Sequence, residues 1–471
     1  MIKRLKDILN SYRSLKKCIS CLDSGLYIQA KQSYLFYLSY GGRRNKILES
    51  RIVNLKSSYS NTLNVAISGW DLSHNAAGRA ITLAELYQYS GFKNVTVIGS
   101  LLQNKKKTKS LWEPIREHCI PFSFFEIDLN NIDLLLHKTI NFVINHPFDI
   151  VHLSKPRITN ILLGVLYKYI WNSTVFIDID DEELAFIRNN SSRKFSSKEI
   201  KSPIWTELSL KFYDIFNGVT VSNPALQRKY GGTIIPHVRN EQIFKPSLSL
   251  KKQNRKLYGI KDDDIVVLFF GTPKRHKGLL ETAKAIAEVE YKNIIFMIVG
   301  DFDEQQLKKE LINIEGVNYL FLPNQPYNKI RDIVSVGDIC ILMQDKSSEI
   351  AKYQLPAKLI DSLAMGLIVF LQKTDATSGF IDERYIQFVD RDCLSQTLKE
   401  CISKNLYVKI NDDIHEYFLH FFSMSAYHNV LIEFINMKTT KSIHNDEFEL
   451  LSKIVKTNDI EEFLSKYAYD Y

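Results

Sequence analysis

The sequence predicts an α/β protein built from two domains, each organised around a parallel sheet. The first observation is length, because 471 residues are more than one ordinary hydrophobic core accommodates. The second is a recurring order of buried strand, polar or small-residue loop, and helix, which is typical of parallel α/β units. The third is the position of the polar clusters, which follow the strands directly, where open α/β sheets bind ligands.

Composition excludes several classes of protein. A hydrophobic content of 45% and a charged content of 24% are those of a soluble globular chain. No apolar run is long enough to cross a bilayer, and the N-terminus lacks the apolar core of a signal peptide, so a cytoplasmic location is expected. Cys18 and Cys21 form a CxxC pair without a second pair or nearby histidines, so reduced thiols are expected rather than a zinc site.

The positive charge of the chain is concentrated at its N-terminus. Residues 1–60 hold twelve Lys and Arg against three Asp and Glu, a net of +9, whereas the whole chain is +8, so residues 61–471 sum to −1. The periodicity predicts a helical extension over 1–62, with a turn at Gly41-Gly42. This basic surface has three interpretations: contact with an anionic membrane surface, a solvated helical cap, or binding of nucleic acid. Nothing in the sequence resembles a nucleic-acid module, and no nucleic-acid partner is expected.

The first α/β domain is predicted over 63–240. Its first strand, residues 65–68, leads into a loop that ends in Asn75, Gly78 and Arg79 before a helix over about 80–89. Small residues at this turn let a ligand approach the backbone at the start of the helix. We therefore place these three residues on the ligand-facing side of the domain.

Later strands of this domain add further candidates. The strand over 148–153 carries His152 and is followed by Ser154, Lys155 and Arg157. His152 is interpreted either as a catalytic or ligand-binding residue or as a histidine of the core. The acidic run over 178–183 offers oxygen ligands for a divalent cation, but ligand-binding and structural roles are also open and no metal is expected. His237 and Arg239 close the domain and are predicted to face the cleft.

The second domain is predicted over 241–435. Its first strand, residues 265–270, ends at Gly271, and Lys274, Arg275 and Lys277 precede the next helix. Three cations at a strand-to-helix turn suit a diphosphate, because their charges add to the partial charge of the helix N-terminus. The alternative is a solvated basic loop. A later strand ends at Asp301, which is a further candidate for ligand binding.

The stretch 344–369 is the most informative of the chain. A charged loop precedes Pro356, an apolar-periodic helix runs to Gly366, and a buried strand follows. Lys358 lies in the first turn, where free N–H groups attract phosphate, and Asp361 lies one turn later. An ordinary amphipathic helix packed on a sheet is the alternative interpretation.

The segment PAKLIDSLAMGLIV, residues 356–369, resembles the C-terminal signature of the family-4 retaining glycosyltransferases of the GT-B fold. In that family an acidic residue one turn into the helix holds the nucleotide ribose, which implies this role for Asp361. The family places a glutamate that contacts the donor sugar eight positions earlier. This chain has Tyr353 at that position, and Glu349 is the nearest acid, so the resemblance implies the sugar contact for one of these two residues. Leu355 and Pro356 then belong to the donor site. Residues 271–278 resemble the phosphate-binding loop of the family, with Thr272 where an arginine is usual.

The resemblance implies a GT-B fold, with two Rossmann-like domains facing across a cleft, a helical N-terminal extension, and C-terminal helices that return to the first domain before a helical tail over 436–471. It also implies transfer of a sugar from a nucleotide-sugar donor to a saccharide or lipid-linked acceptor with retention, without cofactor or metal, in synthesis of a bacterial surface polysaccharide such as capsule or O-antigen. Alternatives are an enzyme that uses a sugar phosphate, an inverting enzyme, and an inactive GT-B protein that serves as a partner subunit.

Overall fold

The computed structural model describes residues 2–52, 62–104, 109–188, 199–345, 347–407 and 412–437. Lys346 of the charged loop and nearly all of the predicted tail over 436–471 lie outside these ranges. Thirteen strands and eighteen α-helices are present in the described part of the chain. The strands are β1 Asn64–Gly69, β2 Asn94–Gln103, β3 Phe122–Asp128, β4 Ile150–Ser154, β5 Thr174–Ile179, β6 Val219–Val221, β7 Thr233–Ile234, β8 Ile265–Phe270, β9 Ile294–Val299, β10 Asn318–Leu322, β11 Ile339–Leu342, β12 Ile368–Leu371 and β13 Gln387–Phe388.

The helices fall into an N-terminal group, two sets that cover the sheets, and a C-terminal pair. They are α1 Ile2–Asp23, α2 Tyr27–Ser39, α3 Lys46–Arg51, α4 Ala77–Tyr89, α5 Leu135–Asn145, α6 Ile158–Trp171, α7 Glu183–Arg188, α8 Pro203–Leu210, α9 Pro224–Tyr230, α10 Leu248–Leu257, α11 Leu279–Val289, α12 Gln305–Ile312, α13 Ile330–Ser335, α14 Glu349–Tyr353, α15 Ala357–Ala364, α16 Leu394–Ser403, α17 Asp412–Phe421 and α18 Met424–Asn436.

The strands form two parallel sheets, as predicted. The first sheet has the order β3-β2-β1-β4-β5-β6-β7 and the second the order β10-β9-β8-β11-β12-β13. In each sheet the strands are added first on one side of the first strand and then on the other. A crevice therefore opens at the carboxyl ends of β1 and β4 in one domain and of β8 and β11 in the other. The central strands are buried along their whole length, because helices cover both faces of each sheet.

Two segments cross between the domains side by side. The amide of Arg239 donates to the carbonyl of Phe422 over 3.1 Å, and the amide of Met424 donates to the carbonyl of Arg239 over 3.0 Å. After this crossing, α18 packs on α4 of the first domain, and its Leu431 and Phe434 join the first-domain core. Helix α18 therefore returns to the first domain, whereas α16 packs on α11 and α17 on α15 within the second domain, so the expectation that the C-terminal helices return together is only partly correct. The two domains are linked by two hydrogen-bonded segments rather than by a single one.

The N-terminal helices form a separate layer on the first domain. One face of α1, including Cys18 and Leu22, packs against Tyr34 and Leu38 of α2. Helix α2 connects this layer to the domain through Lys31, whose buried ammonium group donates to the carbonyl of Ile170 over 3.2 Å. Among the described residues, no helix combines the length and the apolar character needed to cross a membrane.

Candidate functional site

A cleft of about 500 Å³ lies between the carboxyl ends of the two sheets. Both domains contribute to its walls, as expected for the crevices of two facing parallel sheets. Fourteen of the predicted site residues line it: Asn75, Gly78, Arg79, Lys155, Arg157, His237, Arg239, Gly271, Lys274, Lys277, Leu355, Pro356, Lys358 and Asp361.

The N-terminus of α15 faces this cleft from the second domain. Pro356 occupies the N-cap position, one residue earlier than the first-turn position predicted from the sequence, and no side chain caps the helix. Lys358 follows in the first turn, and its ammonium group lies over the ring of Phe269. Gly271 has a φ of +98°, and a Cβ placed there would lie 3.0 Å from the Lys358 Nζ. Glycine at 271 therefore has two effects: it leaves space for the Lys358 side chain, and it allows the positive φ of the turn after β8.

The basic turn after β8 divides into residues that face the cleft and one that does not. Lys277 is half-buried, donates to the carbonyl of Thr272 over 2.7 Å, and lies in the cleft wall with Lys274. Arg275 turns to the surface, where it forms a bidentate ion pair with Glu310. Burial, with the nearby charges of Lys358 and Lys274, holds the pKa of Lys277 well below its usual value.

No acidic side chain of the described residues forms an ion pair with Lys277 or Lys358, although both are half-buried. Burial also lowers the pKa of Lys358. Two cations that share a desolvated wall, beside an uncapped helix N-terminus, carry an unfavourable energy that a bound anion relieves. This wall is therefore suited to a ligand with closely spaced negative charges.

The first domain also presents a helix N-terminus. Helix α4 begins at Ala77 without a side-chain cap, and Asn75 and Gly78 line the cleft beside it. Arg79 lies in the same turn, but its guanidinium forms a bidentate pair with Asp178 and donates to the carbonyls of Ile235 and Pro236. The structure thus ties Arg79 to the sheet, and its donors already have partners inside the protein.

Arg239 and Asp361 meet across the crossing point of the domains. Nε of Arg239 lies 2.6 Å from Oδ1 of Asp361, and Nη1 donates to Thr82 of α4 over 3.2 Å. Burial raises the pKa of Asp361, and the guanidinium offsets part of that rise. No described residue donates to Oδ2 of Asp361, so one carboxylate oxygen stays available in the cleft.

The acidic run after β5 surrounds a lysine. The Nζ of Lys155 lies 2.6 Å from Asp180, 2.6 Å from Asp181 and 3.0 Å from Glu183. Arg157 adds a second ion pair to Glu183. These three carboxylates lie close enough together to hold a metal ion, but the ammonium group lies where the ion would sit. Lys155 also has a left-handed φ of +77°, a costly conformation that the three ion pairs help to hold.

Several cleft residues were not predicted. Trp70, directly after β1, lies edge-on to His74 and beneath the guanidinium of Arg157, and Trp112 extends this aromatic wall. The position of Trp70 at a strand end was a usable signal, whereas Trp112 follows no regular element. From the second domain, Tyr327 contacts Thr82, and Gln354 donates to Asp181 over 2.9 Å.

Among the described residues, five buried polar atoms in the cleft wall have no hydrogen-bond partner. Oδ1 of Asp180 and Oε1 of Glu183 are ion-paired with Lys155, and the other three are Nε1 of Trp70, Nδ1 of His237 and Oε1 of Gln344. Burial, with the charges of Arg79 and Arg239, holds the pKa of His237 well below its usual range, so its imidazole is neutral at physiological pH. Buried polar groups in native proteins are almost always hydrogen-bonded. Their convergence on one cleft indicates a polar ligand.

Five predicted site residues lie outside the cleft lining besides Arg275. His152 is fully buried inside the first sheet, between the hydroxyls of Tyr87 and Thr220, and burial lowers its pKa to about 4. It belongs to the core because successive side chains of β4 point to opposite faces of the sheet. The others are Ser154, which is buried with no partner for its hydroxyl; Glu349, which is exposed on α14; Tyr353, which contacts Lys229 and Asn223; and Asp301, which pairs with Asn324 at the surface.

Comparison with known proteins establishes the fold as GT-B. Residues 251–406, about a third of the chain, match the family model described as Glycosyl transferases group 1. The structure is similar to that of HepE from Anabaena in complex with UDP-glucose, with a TM-score of 0.59 and 15% identity over 79% of this chain and 99% of that chain. No curated protein sequence matches this chain significantly.

Two further structures share the fold. Sucrose-phosphate synthase from Thermosynechococcus elongatus has a TM-score of 0.56 and 14% identity, over 79% of this chain and 98% of that chain. The catalytic domain of starch synthase IV from Arabidopsis thaliana, bound to ADP and acarbose, has a TM-score of 0.54 and 12% identity, over 80% of this chain and 99% of that chain.

Proposed function

We propose that this protein is a glycosyltransferase that moves a sugar from a nucleotide-sugar donor to an acceptor hydroxyl. The observation that carries the proposal is the pair of half-buried lysines, Lys277 and Lys358, which lack an acidic partner among the described residues and lie beside the free N-terminus of α15. A diphosphate supplies the negative charge that this wall lacks. The complexes of HepE with UDP and UDP-glucose, and of starch synthase IV with ADP, support a nucleotide donor.

The donor would lie along the second domain. We assign its diphosphate to Lys277, Lys358 and Lys274, with Gly271 leaving the backbone open to the phosphate oxygens. We assign the ribose to the available Oδ2 of Asp361, beside the backbone of Leu355 and Pro356. Arg275 and Asp301 have no part in this assignment, because their side chains pair at the surface.

The acceptor would lie against the first domain. The wall formed by Trp70, Trp112 and the Lys155 cluster combines aromatic faces with charged hydrogen-bonding groups, which suits a saccharide. In the reaction, the bond from the anomeric carbon to the diphosphate oxygen breaks and a bond to the acceptor oxygen forms on the same face of the sugar. The acceptor proton passes to the departing diphosphate. Catalysis then rests on stabilising that leaving group and on orienting the acceptor.

The proposed setting is synthesis of a bacterial surface polysaccharide, with a saccharide or lipid-linked acceptor. Support comes from the strongly basic N-terminal layer, which would bring the enzyme to the inner face of the plasma membrane. We expect neither a cofactor nor a metal in the reaction, because Lys155 supplies the positive charge within the acidic cluster.

The test is nucleotide binding by calorimetry, with UDP, GDP, ADP and CMP and their sugars as ligands. We expect one of these nucleotides to bind. Lys277→Met or Lys358→Met should weaken its binding about tenfold to a hundredfold, because each lysine donates charged hydrogen bonds to the diphosphate in this assignment. Lys284→Met, an exposed lysine on α11, is the matched control. Unchanged binding in both variants would refute the assignment of the diphosphate.

The second candidate is an inactive GT-B protein that serves as a partner subunit. It is favoured by Thr272 at the usual arginine position and by the location of Glu349 on an exposed surface away from the cleft. Release of free sugar from the bound nucleotide sugar, lost in Lys277→Met, would exclude it. Binding of no nucleotide at all would support it. A preference for a sugar phosphate over every nucleotide would instead indicate a synthase or phosphorylase.

A further inference from the structure

Helix α1 carries an exposed apolar stripe on a surface layer. Leu5, Ile8, Leu9 and Tyr12 recur at helical spacing, and Leu5, Ile8 and Tyr12 have 61%, 58% and 54% of their surface exposed. The opposite face, with Cys18 and Leu22, is the one packed on α2. The stripe therefore faces away from the protein rather than into the helical layer.

A band of cations runs beside this stripe. Lys6, Arg13 and Lys17 are exposed and recur at intervals of seven and four residues, which places them along one side of the stripe. Lys16 lies within the stripe itself, one turn after Tyr12, and its ammonium group lies over the Tyr12 ring. An exposed arc that is apolar on one side and basic on the other is the pattern of a helix that lies in the plane of a membrane interface.

We infer that α1 docks this arc on an anionic phospholipid bilayer, with the apolar stripe among the acyl chains and the basic band on the headgroups. Charge complementarity selects this occupant, because residues 1–60 carry +9 while the rest of the chain sums to −1. A second copy of the chain would bring two equally basic surfaces together. A nucleic acid would satisfy the cations but leave the apolar stripe in water. The inference rests on α1 and the charge of residues 1–60, and it does not depend on the transferase reaction.

Co-sedimentation of the full chain with vesicles tests the inference. Vesicles of phosphatidylcholine alone are compared with vesicles of phosphatidylcholine and phosphatidylglycerol in equal parts. We expect binding to the anionic vesicles only, with an affinity that falls as salt is raised. Lys6→Gln/Arg13→Gln/Lys17→Gln should weaken binding about a hundredfold, at about fivefold for each cation.

The apolar stripe is tested by Ile8→Ser/Leu9→Ser, for which we expect at least a tenfold loss, because lipid burial of each side chain contributes roughly as much as burial in a core. In Tyr12→Trp, the fluorescence emission of the introduced tryptophan should shift to shorter wavelength when anionic vesicles are added. All these positions are exposed, so the melting temperature should not change in any of these variants.

Matched controls lie on α10 of the second domain and just after its end, where exposed cations and leucines are also present. Lys252→Gln/Lys256→Gln/Lys261→Gln and Leu248→Ser/Leu257→Ser should leave vesicle binding unchanged. The inference is overturned if these controls weaken binding as much as the α1 variants, or if the wild-type chain ignores anionic vesicles. It is also overturned if the serine variant binds normally, or if a DNA duplex is bound in preference to the vesicles.

Discussion

Nε of Arg239 lies 2.6 Å from Oδ1 of Asp361, so the residue at the domain crossing is ion-paired to the helix that faces the cleft. Both groups are buried. Removing one partner of such a pair leaves an uncompensated charge and costs about 3–5 kcal/mol, whereas replacing both by apolar groups is far less costly. The pair therefore couples the position of α15 to the linker between the domains.

We predict that Asp361→Asn lowers the free energy of unfolding by about 3 kcal/mol, because the guanidinium stays buried without its carboxylate. Arg239→Met should cost a similar amount. The double variant Arg239→Met/Asp361→Leu should be more stable than either single variant in urea unfolding. Additive losses in this cycle would show that the two side chains do not interact. The cycle also matters for ligand studies, since substitution of Asp361 alters the fold as well as the ribose contact.

Gly271→Ala should weaken nucleotide binding by displacing Lys358. The new Cβ would lie 3.0 Å from the Lys358 Nζ and Cε, in a backbone with a φ of +98°. Gly259→Ala is the control, because its φ is +68° and no atom lies within 4 Å of the added carbon. Both variants should lose about 1–2 kcal/mol of stability from the backbone. Only Gly271→Ala should lose affinity in calorimetry, and equal losses of affinity would contradict the steric argument.

Affinity for the nucleotide diphosphate should fall with rising pH already below the ordinary lysine pKa, because burial lowers the pKa values of Lys277 and Lys358. The sign follows from the charge, since the anion binds the protonated lysines and each lysine loses its proton on the alkaline side. Where the free protein has lost these protons, binding should take up protons from the buffer. Calorimetry in two buffers of different ionisation enthalpy measures this uptake, and Lys277→Met should reduce it. The same uptake in that variant would rule out Lys277 as its source.

Lys155→Met should convert the acidic cluster into a cation site. The carboxylates of Asp180, Asp181 and Glu183 lie close enough together to bind one ion. In the wild type the Lys155 ammonium group lies among them. We expect Mn²⁺ to raise the melting temperature of Lys155→Met and to leave the wild type unchanged. Adding Asp181→Asn to Lys155→Met should abolish the effect. Stabilisation of the wild type by Mn²⁺ would show that lysine does not replace a metal.

The stability of the whole chain should rise with pH above about 7 because of Lys31. Its ammonium group is buried against α6, and burial lowers its pKa to about 7. Between that value and the ordinary lysine pKa the unfolded state binds more protons than the folded state, so the free energy of unfolding increases by up to about 1.4 kcal/mol per pH unit. Lys31→Met should remove this slope in urea titrations and stabilise the protein below neutral pH. A slope that survives the substitution would assign it to another group.

The architecture was predictable because its signals are local. Buried strands such as β8 and β12, each followed by a polar or small-residue turn and a helix, identify the parallel units without any tertiary information. Gly366 ends α15 with a φ of +68°, as its position after the apolar run predicts. The return of α18 to the first domain follows from the fold that the resemblance implied.

The composition of the site was predictable only in part. At 274–277 the sequence offers three cations without indicating which face the cleft. The short 3₁₀ turn over Arg275–Lys277, ended by Gly278 in a left-handed conformation, sends Arg275 to Glu310 and Lys277 into the wall. His152 follows the same logic, because one step along β4 decides between the core and the cleft.

The sequence by itself therefore determined the two parallel-sheet domains, the basic N-terminal layer and the loops from which a site is built, since each depends on periodicity, composition or turn chemistry over a few residues. The tertiary structure decided which side chains are already paired. Asp361 is ion-paired with Arg239, which lies 122 positions away in the sequence. Lys155 is ion-paired with three acidic residues for which the sequence alone allowed a metal-binding role. The reason is physical: a charged group's availability depends on which partners the fold brings within about 3 Å of it, and that distance is set by contacts far apart in the chain.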